Sequence, residues 1–186
     1  MKIGGLVLAG GLSSRFGSEK AVAGHKGRTM MAWPVDLLRL SCAEVAVSVK
    51  PGDAAEALAA EWGLERLFDA PGDPLGPLSG VKAGLAWAEG RGFDLVAVAP
   101  CDTPELPSDL IAQLAEALDD AGAAYAVTEQ GPQPLCSLWR VSALPVLADL
   151  LQDGHPPVRV ALARLNAAAV LFEDAAAFRN FNTPED

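Results

Sequence analysis

The run Leu6-Val7-Leu8-Ala9-Gly10-Gly11-Leu12-Ser13-Ser14-Arg15-Phe16-Gly17-Ser18-Glu19-Lys20 decides the fold. A short apolar strand, Ile3 to Leu8, stops at two adjacent glycines and opens into a polar loop with one arginine and, at its far end, one lysine. Gly10 and Gly11 can take positive φ and leave no Cβ between backbone N–H groups and an anion, so a polyphosphate can lie against bare main chain. Arg15 offers a fork of donors and Lys20 a mobile point charge, which together offset the charge of a nucleoside triphosphate. Such a loop binds phosphate and supplies no nucleophile.

Two better-known phosphate loops do not fit. A Walker loop needs Gly-Lys followed by Ser or Thr, whereas Lys20 follows Glu19 and precedes Ala21, leaving no hydroxyl for a magnesium ion. The dinucleotide fingerprint needs Gly-x-Gly-x-x-Gly, whereas Gly10 and Gly11 are adjacent and the next glycine is Gly17.

Outward from this loop the chain alternates strand and helix. Thr29 is placed to cap a helix running to about Leu40, with Pro34 either kinking it or marking a later start. Strands are expected at Val45 to Val49, Leu64 to Phe68, Phe93 to Ala99, Ala123 to Thr128 and Leu135 to Trp139, with a last edge strand at Ala168 to Phe172. Helices are expected over Asp53 to Trp62, Leu78 to Ala88, Ser108 to Leu118, Val141 to Leu151 and Val158 to Leu165. Gly80 and Gly84, four apart on one helix face, suit close packing. This rhythm predicts a single-domain, three-layer α/β fold with a mostly parallel sheet wrapped on both faces. In such sheets ligands bind beyond the carboxyl ends of the strands, where three loops should converge: the glycine loop, Asp69 to Gly80, and Pro100 to Pro104.

Bulk properties narrow the function. At 186 residues and 51% apolar composition the chain is long enough for one full-sized domain. A formal charge of −10 disfavours nucleic acid as a partner, since no basic stripe is present. It has no long uncharged apolar run and no apolar leader, so a soluble cytoplasmic protein without a membrane partner is expected. Cys42, Cys101 and Cys136 are odd in number and widely spaced, which disfavours a disulfide framework or zinc site. Its 18 glycines and 14 prolines are scattered between apolar segments, so there is no low-complexity linker.

The second chemically rich stretch is Pro100-Cys101-Asp102-Thr103-Pro104. An aspartate fixed between two prolines at the tip of the apolar run Leu95 to Ala99 has a defined direction. Two readings are open: a magnesium ligand facing a triphosphate, or a structural residue that caps the helix at Ser108 or stabilises a turn.

In Leu8-Ala9-Gly10-Gly11-x-Ser13-x-Arg15-x-Gly17-x-x-Lys20 and in Cys101-Asp102-Thr103-Pro104, the chain resembles the nucleotidyltransferases of the Rossmann-like nucleoside-diphosphosugar pyrophosphorylase fold. Among them it resembles the molybdenum cofactor guanylyltransferases (MobA-like). Two departures stand in the loop: Glu19 where the family usually has Asp, and Phe16 where it often has Met. Gly76-Pro77-Leu78-Ser79-Gly80 resembles the family's Gly-Pro-Leu-Ala-Gly box, Gln133-Pro134-Leu135 its stretch beside the acceptor, and Asn182-Thr183-Pro184-Glu185 its terminal box.

The resemblance implies transfer of GMP from GTP to the phosphate of Mo-molybdopterin, with Mg2+ as cofactor and transient contact with proteins that deliver or receive the molybdenum cofactor. It implies nucleotide contacts at Leu8, Ala9, Gly10, Gly11, Lys20, Ser48, Asp69 and Asp102, with Ser48 replacing a family asparagine. Arg15 and Lys20 would stabilise the leaving pyrophosphate, Asp102 would hold the metal, and Pro134, Leu135, Arg159 and Asn182 would lie toward the acceptor. Read without the resemblance, Asp69 is a solvated loop residue and Gly76 to Gly80 a turn and helix start. Neither histidine is given a role: His25 is read as hairpin decoration and His155 as a surface loop residue. The four tryptophans, at 33, 62, 87 and 139, are read as core or rim. The alternatives are a related transferase using CTP or a sugar-phosphate acceptor, and a non-catalytic nucleotide-binding protein on the same fold.

Removing the lysine charge tests the phosphate cradle. Lys20→Ala should weaken GTP binding about tenfold or more, as expected for losing a charge-assisted hydrogen bond. Unchanged affinity in a titration with GTP would move the phosphate site elsewhere.

Overall fold

The computed structural model of the chain describes residues 1–9 and 21–181. Its main sheet has seven strands in the order β5-β4-β1-β6-β8-β7-β9. These are β1 (Ile3–Leu8), β4 (Glu44–Ser48), β5 (Glu65–Leu67), β6 (Leu95–Pro100), β7 (Ala123–Thr128), β8 (Gly131–Arg140) and β9 (Ala168–Leu171). Every neighbouring pair is parallel except those made by β8, which runs antiparallel to both β6 and β7. A separate two-stranded hairpin joins β2 (Gly24–His25) to β3 (Arg28–Thr29).

Alternation along β1 divides the core in two. Val7 packs with α1 (Ala32–Arg39), α2 (Ala54–Glu61) and α4 (Leu110–Ala117) on one face. Leu6 packs with α3 (Pro77–Arg91), α5 (Leu144–Gln152) and α6 (Val158–Arg164) on the other. This is the pleat of a strand buried on both sides, which is also why β6 is buried at all six positions.

Local chemistry explains most of the element ends. Asp53 caps α2, its carboxylate accepting from the Glu56 amide at 2.8 Å, while the Glu56 carboxylate accepts from the Gly52 amide at 2.6 Å. Pro77 opens α3 and Gly92, at φ 69°, closes it in the left-handed conformation. Helix α3 lies close against the sheet because its inner face lacks side chains at two points. A Cβ on Gly80 would come within 2.7 Å of the Ser48 hydroxyl and 2.9 Å of Leu8 Cδ2, and one on Gly84 within 2.6 Å of Leu6 Cδ2. Leu78 and Leu85, both fully buried beside these glycines, each contribute about 1.5–3 kcal/mol.

Three expectations are corrected. Thr29 does not cap a helix: it lies in β3, paired with Gly24 around a Lys26-Gly27 turn in which both residues have positive φ (49° and 77°). That backbone twist matches a tight hairpin. Of the two readings of Pro34, the later start holds: helix α1 begins at Ala32 with Pro34 in its first turn, where a missing N–H costs little. Strand β8 is longer than Leu135 to Trp139 because its prolines fall where the ladder tolerates them. Tyr125 pairs with Ser137 but Ala126 with Gln133, so residues 134–136 bulge out of the pairing. Finally, the segment after β8 enters α5 through a 3-10 turn, Val141–Ala143, rather than as one continuous helix.

The close approach of α3 generates a stability prediction. Gly84→Val should lower the unfolding free energy by about 1–3 kcal/mol, because its side chain must displace fully buried Leu6. Urea denaturation of the variant beside the parent measures this.

Candidate active site

The parallel strands deliver their loops to one level. Leu8 is in register with Ser48 and Pro100, and Ser48 with Leu67. One residue further on, the ladder still holds: the Ala9 amide donates to the Ser48 carbonyl at 3.0 Å, Cys101 N to Leu8 O at 3.1 Å and Val49 N to Leu67 O at 2.9 Å. Four chain segments therefore leave the same edge together. From β5 the chain crosses back over β1 to form β6, so the order of strands reverses between β1 and β6. A crevice at the carboxyl ends of such a switch point is where open α/β sheets bind ligands.

Of the candidates in the first loop, Leu8 and Ala9 stand at this edge. Gly10, Gly11, Arg15, Lys20 and, at the other end of the chain, Asn182 lie outside the described residues. Ser48 is 5% exposed, with its hydroxyl against Gly80 of α3. Its described contribution is to anchor Ala9 through its carbonyl and to seat the helix.

Helix α3 points its N-terminus at the same edge, where the aligned amides of a 15-residue helix favour an anion. The loop before it is tied down: Lys82 Nζ donates to both carboxylate oxygens of Asp73 at 2.7 and 2.9 Å, and the Ser79 hydroxyl donates to the Pro74 carbonyl at 2.5 Å. Asp69, half-buried at the start of this loop, has its carboxyl pushed above the ordinary value. Burial is the main cause, the Asp73 charge adds to it, and Lys50 opposes both.

Asp102 stands at the tip of β6, partly buried. The helix-cap reading fails, since α4 begins at Leu110 with Asp109 in the cap position. The C-terminal segment grips the Asp102 loop instead: Phe181 N donates to the Asp102 carbonyl at 2.8 Å, and the Thr103 hydroxyl, 1% exposed, donates to Asn180 Oδ1 at 2.9 Å. The bulge in β8 carries Pro134 and Leu135, both partly buried, to the same end of the sheet. Its third residue, Cys136, has a thiol whose pKa is raised, mainly by burial and further by the Asp102 charge. Asp102 and the candidate acceptor stretch are thus neighbours.

Two features had no signal in the sequence. The loop before α6 lays the His155 imidazole over Gly76: a Cβ there would lie 1.8 Å from Nε2, so glycine is required where the box begins. Arg159, exposed in the first turn of α6, follows that loop. His25 is not decoration either, for its side chain is only 10% exposed. Trp139, fully buried and donating to the Ser137 hydroxyl at 2.8 Å, is core.

The Asp69 carboxylate is destabilised where it stands, which gives a pH-dependent prediction. Its folded pKa is raised, so the ionised form opposes folding at neutral pH and the penalty vanishes once pH falls below the ordinary carboxylate range. Asp69→Asn should therefore raise the Tm at pH 7 and leave it unchanged in acid. Thermal melts at pH 7 and pH 3 read the difference.

Comparison with known proteins agrees with this geometry. A family model described as a MobA-like NTP transferase domain matches residues 5–169. A molybdenum cofactor guanylyltransferase of Cereibacter sphaeroides is 41% identical over 189 residues, spanning 100% of this chain and 94% of the relative. One from Yersinia pestis is 34% identical over 186 residues, spanning 99% and 92%. Among solved structures, molybdopterin-guanine dinucleotide biosynthesis protein A from Archaeoglobus fulgidus superposes with a TM-score of 0.78 at 24% identity, covering 98% of this chain and 93% of that one. A 4-diphosphocytidyl-2C-methyl-D-erythritol synthase superposes with a TM-score of 0.70 at 17% identity, covering 99% and 94%, and so shares the fold. A switch-point crevice flanked by a helix N-terminus and a strand-tip aspartate, in a chain so matched along its length, is that of a nucleotidyltransferase, and the chain belongs to the MobA-like NTP transferase domain family.

Proposed function

We propose that this enzyme transfers GMP from GTP to the phosphate of Mo-molybdopterin, forming the guanine dinucleotide of the molybdenum cofactor and releasing pyrophosphate. One observation carries the proposal: Ala9, the N-terminus of α3 and Asp102 converge at the switch point of a chain 41% identical to a molybdenum cofactor guanylyltransferase.

In the proposed reaction an oxygen of the acceptor phosphate forms a bond to the α-phosphorus of GTP while the bond to the bridging α,β-oxygen breaks, and the electron pair leaves with pyrophosphate. The attacking group is already an anion, so little general-base work is needed, and catalysis rests on alignment and charge neutralisation. Backbone amides of Gly10 and Gly11 would cradle the phosphates, and Arg15 and Lys20 would balance charge on the leaving group. Leu8, Ala9, Ser48 and Asp69 would define the nucleotide side of the crevice. Pro134, Leu135, Arg159 and Asn182 would define the acceptor side.

Asp102 would hold Mg2+. No group of three or more potential metal-ligating His, Cys, Asp or Glu side chains occurs among the described residues, which does not suit an all-protein metal cage. A carboxylate at a strand tip beside an anion-binding crevice does suit magnesium, which takes its other ligands from substrate phosphates and water. Bound there, the ion would neutralise charge on the reacting phosphates. Among the described residues no helix is long and apolar enough to cross a membrane, and we place the activity in the cytoplasm, in contact with proteins that supply or accept the cofactor.

Incubation with Mo-molybdopterin, Mg2+ and either GTP or CTP, scoring pyrophosphate and the pterin dinucleotide, tests the proposal. Product is expected from GTP, and Asp102→Ala should abolish it with the fold retained by circular dichroism. Product from CTP alone would overturn the base assignment, and none from either nucleotide would overturn the acceptor.

A further inference from the structure

His25 is where three separate segments meet. It lies in the β2–β3 hairpin, only five residues beyond Lys20, and its ring is nine-tenths buried. The imidazole sits edge-on to Phe181 with centroids 4.4 Å apart and to Trp33 at 5.8 Å, and Trp33 Nε1 donates to the His25 carbonyl at 3.3 Å. Phe181 is also covered on its ring by the Arg179 guanidinium, at 4.6 Å, and its amide donates to the Asp102 carbonyl.

The same imidazole reaches the other end of the Asp102 loop. His25 Nε2 lies 3.4 Å from Glu105 Oε1, and Lys26 ion-pairs with that carboxylate. The Glu105 carboxyl is held below its ordinary pKa, first by its hydrogen bond from Lys26. Between Asp102 and Glu105 there are only Thr103, itself tied to Asn180, and Pro104, so displacement at one end is passed to the other. A cavity of about 440 Å³ is lined by both the hairpin (His25, Lys26) and the loop after Asp102 (Pro104 to Leu106). His25 is among the residues that line it, and its buried Nε2 faces Glu105 Oε1 at a distance longer than an ideal hydrogen bond.

From this arrangement we infer that His25 is a positioning residue that couples the hairpin following the phosphate loop to the loop carrying Asp102, acting through Phe181 on one side and Glu105 on the other. The inference rests on the proposed function for its kinetic consequence and on geometry alone for its structural one, so the test reads both.

Amide hydrogen exchange at Phe181 reports the grip on Asp102 without any turnover, and the Mg2+ half-saturation of GTP-dependent pyrophosphate release reports its effect on the site. His25→Ala should speed Phe181 exchange about tenfold and raise the Mg2+ half-saturation about fivefold, while His25→Phe, which keeps the contact with Phe181, should restore most of the exchange protection. Glu105→Gln, at a partly exposed position that tolerates substitution, should raise the half-saturation in the same direction and carries the test if His25→Ala does not fold. Parent-like exchange and half-saturation in His25→Ala, or in Glu105→Gln where that variant stands in, would overturn the inference. A lowered Tm with unchanged half-saturation would reduce His25 to a packing residue and overturn it equally. Absence of turnover in the parent itself would defeat the proposed function, leaving the exchange measurement to decide the role of His25.

Discussion

The close approach of α3 to β1 and β4 is the constraint on which the rest depends. Gly80 and Gly84 carry no side chain where Ser48, Leu8 and Leu6 press against the helix, so its axis lies near the sheet and its first turn ends level with the strand tips. A helix held further out would bury less of Leu78 and Leu85 and would aim its N-terminal amides away from the crevice. Packing and site geometry are one problem here. The loop before α3 inherits its position from the same contact, and the Lys82–Asp73 pair then fixes it.

The two walls of the crevice are built by different physics. On the side of β4, β5 and α3, burial and short-range ion pairing set the shape, and burial together with the Asp73 charge pushes the Asp69 carboxyl above its ordinary value. On the side of β6, the Asp102 loop projects beyond the strand pairing and is held by partners from the chain end: the Phe181 amide and the Asn180 side chain. The β8 bulge closes that wall by moving Pro134, Leu135 and Cys136 out of the ladder. A regular β8 would have continued alongside Ala99 and Pro100 and filled the space.

Much of the architecture was legible because it is written locally. An apolar run ending in glycines, a Pro-flanked aspartate after the most strand-like run and a proline opening α3 each act over a few residues, and the alternation of strand with helix follows from them. The misreadings have the same origin. Thr29 looked like a cap because Ser and Thr favour caps, yet the Lys26-Gly27 turn claimed it for a hairpin. The strand expected at Leu135 to Trp139 begins earlier, at Gly131, because before Ser137 β8 is paired to β7 alone, where Pro132 is tolerated, and Pro134 falls in the bulge.

By itself the sequence determined the period of each element, the points where the backbone must turn or come close, and the identity of the groups able to meet phosphate or metal, since all of these are properties of a residue and its near neighbours. Only the tertiary structure decided that His155 covers Gly76, that His25 meets Phe181 and Glu105, and that Asn180 holds Thr103. Those contacts join residues far apart in the chain. They exist only once the sheet has closed in its order and register, and no local preference encodes them.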